Sequence, residues 1–392
     1  MPPILLRSCL IALGLFVLLL GTVAASPAAQ PDPGDTIPPV APVLQNPDFE
    51  CATGFYSATN PAGERIRLPS GWQIHFTAGA PETNSTRREV TRNCDSSTDQ
   101  HIERISGLDS WIIKSEDLES SPAPGKPFDV SLYQQVSATV GGAYSLSGWM
   151  VSLCGGSRVP NDCPEGYYIA KLIGIDPTGG VDPLADTVVW TEDRRNFVED
   201  GQRVGLVNLS TVAVAQAPTI TIFARINSPF QWHGNHAIVD AFSLIRAPAA
   251  RLNIPTIVSG TALTLSWAAT QSPDVIDIPS GNYELLVDID YRSLGATAWQ
   301  PLLRNAAGTG SQLVSAGCPG AQFEFRIRAR AEQPEGEPGA FPTQRYPGIW
   351  SEPVAVRFER AAAAAANSLQ SGENAIHLPL VHAYRECELG LE

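Results

Sequence analysis

The sequence predicts an all-β fold, laid out as two successive sandwiches, and three observations predict it. Short runs of about five to ten residues, rich in Val, Ile, Tyr and Trp, recur along most of the chain. Gly, Pro, Asn and Asp punctuate them at turn-like spacing. No stretch combines a helical apolar period with capping residues at its ends. At 392 residues the chain is long for one domain, and two cores of ordinary size fit.

Residues 1–25 read as a secretory signal peptide. Arg7 supplies the positive region, Leu10 to Leu20 is apolar apart from Gly14, and Val23-Ala24-Ala25 offers small residues for cleavage. An uncleaved anchor is the alternative, because the apolar run approaches the ~17-residue lower limit for crossing a bilayer. No second spanning segment follows. The expected localisation is therefore secreted or at the extracellular surface. Residues 26–43 are Pro-rich, lack any hydrophobic period and read as an extended linker.

The first domain is expected over residues 44–247. Its clearest strand signals are "GWQIHFTA", "VSLYQQVSATV", "AYSLSGWMVSL", "YYIAKLIGID", "DTVVWTE", "QRVGLVNLSTVAV", "PTITIFARI" and "HAIVDAFSLI". Residues 248–255 read as a linker. A second strand series over residues 256–360 includes "ALTLSWAA", "NYELLVDIDYRS", "TAWQPLL", "QFEFRIRARAE" and "EPVAVRFER". About 100 residues at this spacing suit an immunoglobulin-like sandwich. Residues 361–392 begin with six alanines and read as a short helix or a flexible C-terminal tail.

Net charge is −14 with a pI near 4.9, so a polyanion would be repelled and nucleic acid is not an expected partner. Of seven cysteines, Cys9 lies in the leader. In an exported chain the other six can pair. Cys154 and Cys163 bracket a short polar loop that a disulfide would staple, and Cys94 is the nearest candidate for Cys51. Cys318 and Cys387 are left over, free or paired. No two cysteines have zinc-finger spacing. His233 and His236 lack a third ligand, and Asp176 and Asp182 flank an ordinary Gly-Gly turn. No nucleophile elbow, zincin or P-loop motif is present.

The opening "NPDFE" (46–50), "PSGW" (69–72), "LYQQVSATVGGAYSLSGWM" and the closing "VDAFSL" together resemble a carbohydrate-binding-module type of jelly roll with the galactose-binding-like fold. The resemblance covers roughly half the chain and implies a two-sheet jelly-roll sandwich whose first and last strands lie together. It also implies a structural Ca2+ at that junction, held by Glu50 and Asp240 with backbone carbonyls near Asn46 and Asp48. Ala241 stands where the family often has a second acid, which removes one ligand. Calcium takes about 6–8 oxygens, and turn carbonyls plus two carboxylates begin such a set.

Sugar binding further needs an aromatic face beside polar side chains. Of the eight tryptophans, Trp72, Trp149 and Trp190 lie in strand-like runs and are expected in the core. Trp232 lies in the polar loop "NSPFQWHGNH" and is the expected ligand-binding aromatic, with Tyr167 and Tyr168 at the rim. For each of these three, packing over the edge of the core is the competing reading.

Residues 256–360 resemble a fibronectin type III domain through Trp267 in "LTLSW", "YELLVDIDYRS" before Trp299, "FEFRIRARAE" and "GIWSEPVAVRF". Phe323 departs from the family's Tyr. Arg326, Arg328 and Arg330 share one strand face, either as a basic strip or, as expected here, as a solvated face countered by acids. The functional expectation is a non-enzymatic exported protein whose jelly roll binds carbohydrate or another cell-surface ligand, with the second domain as spacer or interaction module. The alternatives are a structural or adhesion protein binding protein partners, or a glycan-active hydrolase.

Overall fold

A computed structural model describes residues 44–87, 97–98, 105–115, 126–154, 163, 165–199, 202–203, 205–230, 234–270, 283–316, 320–333, 344–359 and 389–391, all within one compact unit, Val40–Glu392. These residues form strands and turns and no helix. The expected all-β class is what the chain adopts. No helix among them is long and apolar enough to cross a membrane.

The first sandwich packs a five-stranded sheet on a six-stranded one. The five-stranded order is Val189–Asp193, Ala170–Asp176, Thr219–Ser228, Phe128–Ser137, Gln73–Ala78. The six-stranded order is Val207–Val214, Ala143–Leu153, His236–Arg246, Asp109–Lys114, Glu82–Arg87, Ser97–Thr98. Alternation decides which residues enter the core between them. Val130, Leu132, Ile173, Ile222 and Ile226 point in from one sheet, and Trp111, Tyr144, Met150 and Val239 from the other.

Residues 44–50 and 236–246, far apart in sequence, lie together. Phe242 donates its N–H to the Pro47 carbonyl at 2.9 Å. Its ring meets Phe49 and Trp72 edge-on, with centroids 5.8 and 5.7 Å away. The two ends of the first sandwich meet as the family resemblance implied, and the contact is made by a turn rather than by a paired strand. Asn46, Phe49 and Ala241 hold positive φ, so 44–50 is a folded turn docked on a bulge between Asp240 and Ser243. The Asn46 side chain closes the turn by accepting the Glu50 N–H at 2.8 Å and donating to the Gly54 carbonyl at 3.2 Å.

In the second sandwich a four-stranded sheet, Ala249–Asn253, Ala262–Thr270, Thr309–Ala316, Leu389–Leu391, faces a larger one. The latter runs Ile257–Ser259, Val354–Glu359, Gln322–Glu332, Glu284–Ser293, Gln300–Ala307, with Arg345–Pro347 also paired to Gln322–Glu332. Two boundary expectations change. Residues 249–253, read as linker, are the first strand of this sandwich, because Ala250 and Leu252 alternate into its core. The C-terminal segment, read as helix or free tail, ends in a strand, Leu389–Leu391, on the sheet edge.

The outer Arg residues are countered by acids. Arg326 binds Asp290 at 2.8 Å, Arg328 and Arg330 bind Asp288 at 2.9 and 2.7 Å, and Arg292 binds Glu324 at 2.6 Å. Trp299 lies under Arg292 and Arg326, and Trp350 under Arg326 and Arg328, at 4.2–4.7 Å from ring centre to guanidinium. Burial pushes the Asp288 carboxyl up, but hydrogen bonds and charge from Arg330, with Arg328, bring it below its ordinary value. Glu332 is likewise lowered on balance, by Arg330 and Arg345 against the effect of burial.

The two sandwiches share a contact. Tyr346 is fully buried with Ile245 of the first sandwich and Ala331 of the second, and Tyr283 stands edge-on to it at 5.6 Å. The Arg345 N–H donates to the Asn208 side-chain oxygen at 3.0 Å. The other exposed part of the same sheet face is covered from within the first sandwich. Phe197 and Leu206 pack over Ile112, Trp149, Val151 and Ile238 there. Trp149, expected in the core, is buried in this outer layer.

Two predictions follow from these contacts. Tyr346→Ala should lower stability by about 3 kcal/mol or more, the usual cost of emptying a buried aromatic site. Calorimetry should then resolve separate transitions for the two sandwiches where the parent shows one. Asp288 and Glu332 titrate lower when folded than when unfolded. Their contribution is complete above the ordinary carboxylate range and is lost as pH falls through the lowered values. Urea unfolding from pH 7 to 3 should show stability falling below about pH 4. Asp288→Asn should flatten part of that fall while starting from a lower value at pH 7.

Candidate functional site

With one sheet covered, the outer face of the five-stranded sheet is where side chains stand free, and strand register builds a row across it. Trp190 pairs with Gly174, Gly174 with Phe223, Phe223 with Tyr133, and Tyr133 with Gln73. Five strands at ~4.8 Å spacing make the row roughly 19 Å long. Trp190 and Phe223 have ring centroids 5.6 Å apart, and Phe223 and Tyr133 6.1 Å. Phe223 is fully buried as the floor, while Trp190 and Tyr133 are half-exposed above it. Gly174 makes this possible: a Cβ there would lie 2.5 Å from the Trp190 ring, so the indole lies flat across the strand.

Polar groups flank the row. The next register line carries Glu192, Leu172, Arg225, Ser131 and His75. Arg225 binds Asp129 through two hydrogen bonds, at 2.8 and 2.5 Å, and its guanidinium lies 5.8 Å from the Trp190 ring. Glu192 pairs with Arg194 at the edge. Tyr133 donates its hydroxyl to Gln73 at 2.6 Å. Ser131 and Thr221 are fully buried in the floor, and among the described residues their hydroxyls have no hydrogen-bond partner. Tyr56 extends the band beyond Gln73. Its hydroxyl donates to the Trp72 carbonyl, and burial followed by the nearby Tyr133 raises its pKa.

Tyr167 and Tyr168 gather on Phe230, with centroids 4.9 and 5.9 Å away, and Arg194 covers Tyr168 at 4.4 Å. Trp232 lies outside the described residues, as does His233. Trp190, expected in the core, sits on the outer face. The signal that could have found it is Gly174 inside a strand-like run, which marks close approach by a large side chain.

Glu50 and Asp240 meet one loop. Glu50 accepts the Leu108 and Asp109 N–H groups at 2.8 and 3.0 Å. Asp240 is fully buried and accepts those of Ile105, Ser106 and Ala241 at 2.9, 3.2 and 2.8 Å. Burial pushes Asp240 up to about 8, opposed by those three N–H donors and assisted by Asp48. The Asn46 carbonyl accepts from the Trp72 indole at 3.1 Å. Among the described residues no three His, Cys, Asp or Glu side chains converge on a common point. The residue types suit a hard cation. Their oxygens face N–H donors, so no coordination geometry is assigned to a metal.

Cys154 and Cys163 are joined, with Cα atoms 5.0 Å apart. Cys51 is disulfide-bonded, and the proposed partner Cys94 lies outside the described residues. Lys171 is fully buried. It is held by Asp193 at 3.2 Å, by Ser152 at 3.0 Å and by the Arg195 carbonyl. Asp176, considered for a cation, accepts from Thr178 and Thr187 and closes its own turn.

No known family profile matches the sequence, and no curated protein matches it. Several solved structures show a distant likeness. The structure of TmCBM61 in complex with β-1,4-galactotriose is 13% identical, with a TM-score of 0.28, covering 45% of this chain and 89% of that one. The CBM22-1-CBM22-2 tandem domain of Paenibacillus barcinonensis Xyn10C is 10% identical, with a TM-score of 0.24, covering 76% and 90%. A β-1,2-glucanase from Parabacteroides distasonis is 12% identical, with a TM-score of 0.24, covering 74% of this chain and 37% of that one. Each TM-score lies below 0.5.

Proposed function

We propose that the first sandwich binds a neutral, extended carbohydrate on the outer face of its five-stranded sheet, without turnover. The observation that carries this reading is the lateral row Trp190, Phe223, Tyr133, Gln73, flanked by the polar side chains of Arg225 and Glu192. Pyranose rings present C–H faces to aromatic planes and hydroxyls to their rims, and this surface offers both. Charge supports a neutral ligand, because Arg225 is matched by Asp129 and Glu192 by Arg194. The same pairing supports binding over hydrolysis. A glycosidase needs a carboxylic acid able to give up a proton, and Glu192 and Asp129, the acids beside the row, are tied to Arg194 and Arg225. In this reading the chain is exported, and the second, fibronectin type III-like sandwich is a docked support for the binding face.

Trp190→Ala should weaken binding of soluble neutral oligosaccharides by roughly five- to tenfold in titration calorimetry, the loss of about 1 kcal/mol of stacking. The melt should change little, because the indole is half-exposed on an edge strand. Trp232→Ala is the matching control. If it lowers affinity and Trp190→Ala does not, the site is the loop around 232 and the sheet-face reading fails. Release of shorter sugars from the bound glycan would overturn the absence of turnover.

A cation at Glu50 and Asp240 is a separate proposal, supported by charge and not by the present arrangement of oxygens. Asp48 and Glu50 are both raised by burial above their ordinary values, and Asp48 and Asp240 repel one another. A divalent ion binding only the folded chain would raise the melt by mass action. The expected result is a higher melting temperature in millimolar calcium than in chelator. Equal melts would leave the N–H donors of 105–109 as the partners of these acids.

A further inference from the structure

We propose that Arg225 and Asp129 act as one specificity-determining unit that reads two adjacent hydroxyls of the sugar ring stacked on Trp190. The inference rests on the sheet-face reading above and deepens it. The ligand must carry two free neighbouring hydroxyls, in one relative configuration, at that ring.

Strand register puts the pair beside the aromatic row. Arg225 lies two residues beyond Phe223 on the same strand and so on the same face. Asp129 lies on the neighbouring strand, opposite Asn227. The guanidinium leans toward the indole, 5.8 Å from its ring centre. A pyranose lying on Trp190 therefore brings its rim hydroxyls to the guanidinium edge.

Both partners have capacity left after binding one another. A guanidinium carries five N–H donors in a planar fork. Nε and Nη2 give one each to Asp129, at 2.8 and 2.5 Å, and among the described residues the guanidinium makes no other hydrogen bond. Each Asp129 oxygen accepts one of these bonds and keeps a second lone pair. The two side chains are 14% and 13% exposed, enough for a ligand to reach them and little enough to keep the new bonds out of bulk water.

A donor and an acceptor thus stand side by side on a rigid base. Two hydroxyls on adjacent ring carbons match them: one accepts from the guanidinium, and the other donates to a carboxylate oxygen. Both bonds are charge-assisted and stronger than bonds between neutral groups. The ion pair offers them without net charge, as a neutral ligand requires. Asn227 adds a half-buried side-chain amide that has no hydrogen-bond partner among the described residues. Inverting one of the two hydroxyls turns it away from the fork and leaves a desolvated polar group unmatched, which is how such a site discriminates.

The test measures binding of the full chain to soluble β-1,3- and β-1,4-linked oligosaccharides in gluco, galacto and manno configurations, by titration calorimetry. The galacto and manno forms each differ from the gluco form at one ring carbon. The parent should favour one configuration over at least one epimer by roughly tenfold or more. Asp129→Asn, and Arg225→Lys, which keeps the charge but not the fork, should each weaken the favoured form by a similar factor. The disfavoured form should bind nearly as before, so the preference collapses. A purely structural ion pair would lower every affinity alike. Equal binding of the epimers by the parent, a result that needs no variant, would overturn the inference, as would a preference that both variants retain. Either result leaves the effect of Trp190→Ala intact. If Trp190→Ala binds as the parent does, or if none of the oligosaccharides binds the parent, the sheet-face reading falls and this inference falls with it.

Discussion

The first sandwich depends on one aromatic contact at its seam. Phe242 sits on the bulge of the last strand and is gripped by Phe49 and Trp72 from the opening turn. The bulge turns Phe242 inward while leaving Asp240 on the opposite side. Phe49 reaches its position only because the turn accepts positive φ at Asn46 and at Phe49 itself, conformations that cost a non-glycine residue unless the surroundings enforce them. The same bulge aims Asp240 at the 105–109 loop. Core closure and loop anchoring therefore share a single irregularity in one strand.

The two sheets of this sandwich have divided their roles. The six-stranded sheet is covered outside by Phe197 and Leu206 on one part and by Tyr346 on another. That cover makes the second sandwich a packed neighbour of the first. The five-stranded sheet keeps its outer face for Trp190, Tyr133 and the polar groups beside them. A surface of aromatic planes among matched charges suits a ligand that is flat on one side and hydrogen-bonding on its rim. The second sandwich shows the opposite use of the same residue types. There Arg and Trp alternate in a stack closed by Asp288 and Asp290, and charge and ring are both satisfied internally.

Much of this architecture was legible in the chain. Runs rich in β-branched and aromatic residues between turn signals marked Phe128–Ser137, Ala143–Leu153, Thr219–Ser228 and Gln322–Glu332, the last with strict alternation of buried and part-exposed residues. The meeting of 44–50 with 236–246 followed from a family resemblance, although its form, a turn on a bulge, did not. The hairpin Phe55–Thr59 with Arg65–Pro69 was missed: Ile66 and Leu68 alternate into the core from its second strand, but that run is only five residues long and its partner Phe55–Thr59 carries no apolar period. Residues 249–253 passed for a linker because small and charged residues mask the alternation of Ala250 and Leu252.

By itself the sequence determined the all-β class, the two strand series, the acidic charge and the chemistry of individual turns. All of these are local properties of composition and spacing. Only the tertiary structure decided which face each aromatic occupies. Trp149 and Trp190 look alike in sequence, each in an apolar strand. One is roofed by Phe197 and Leu206, and the other lies half-exposed on Gly174. Which sheet face stays open depends on what packs over it from a distant part of the chain, and no local pattern encodes that.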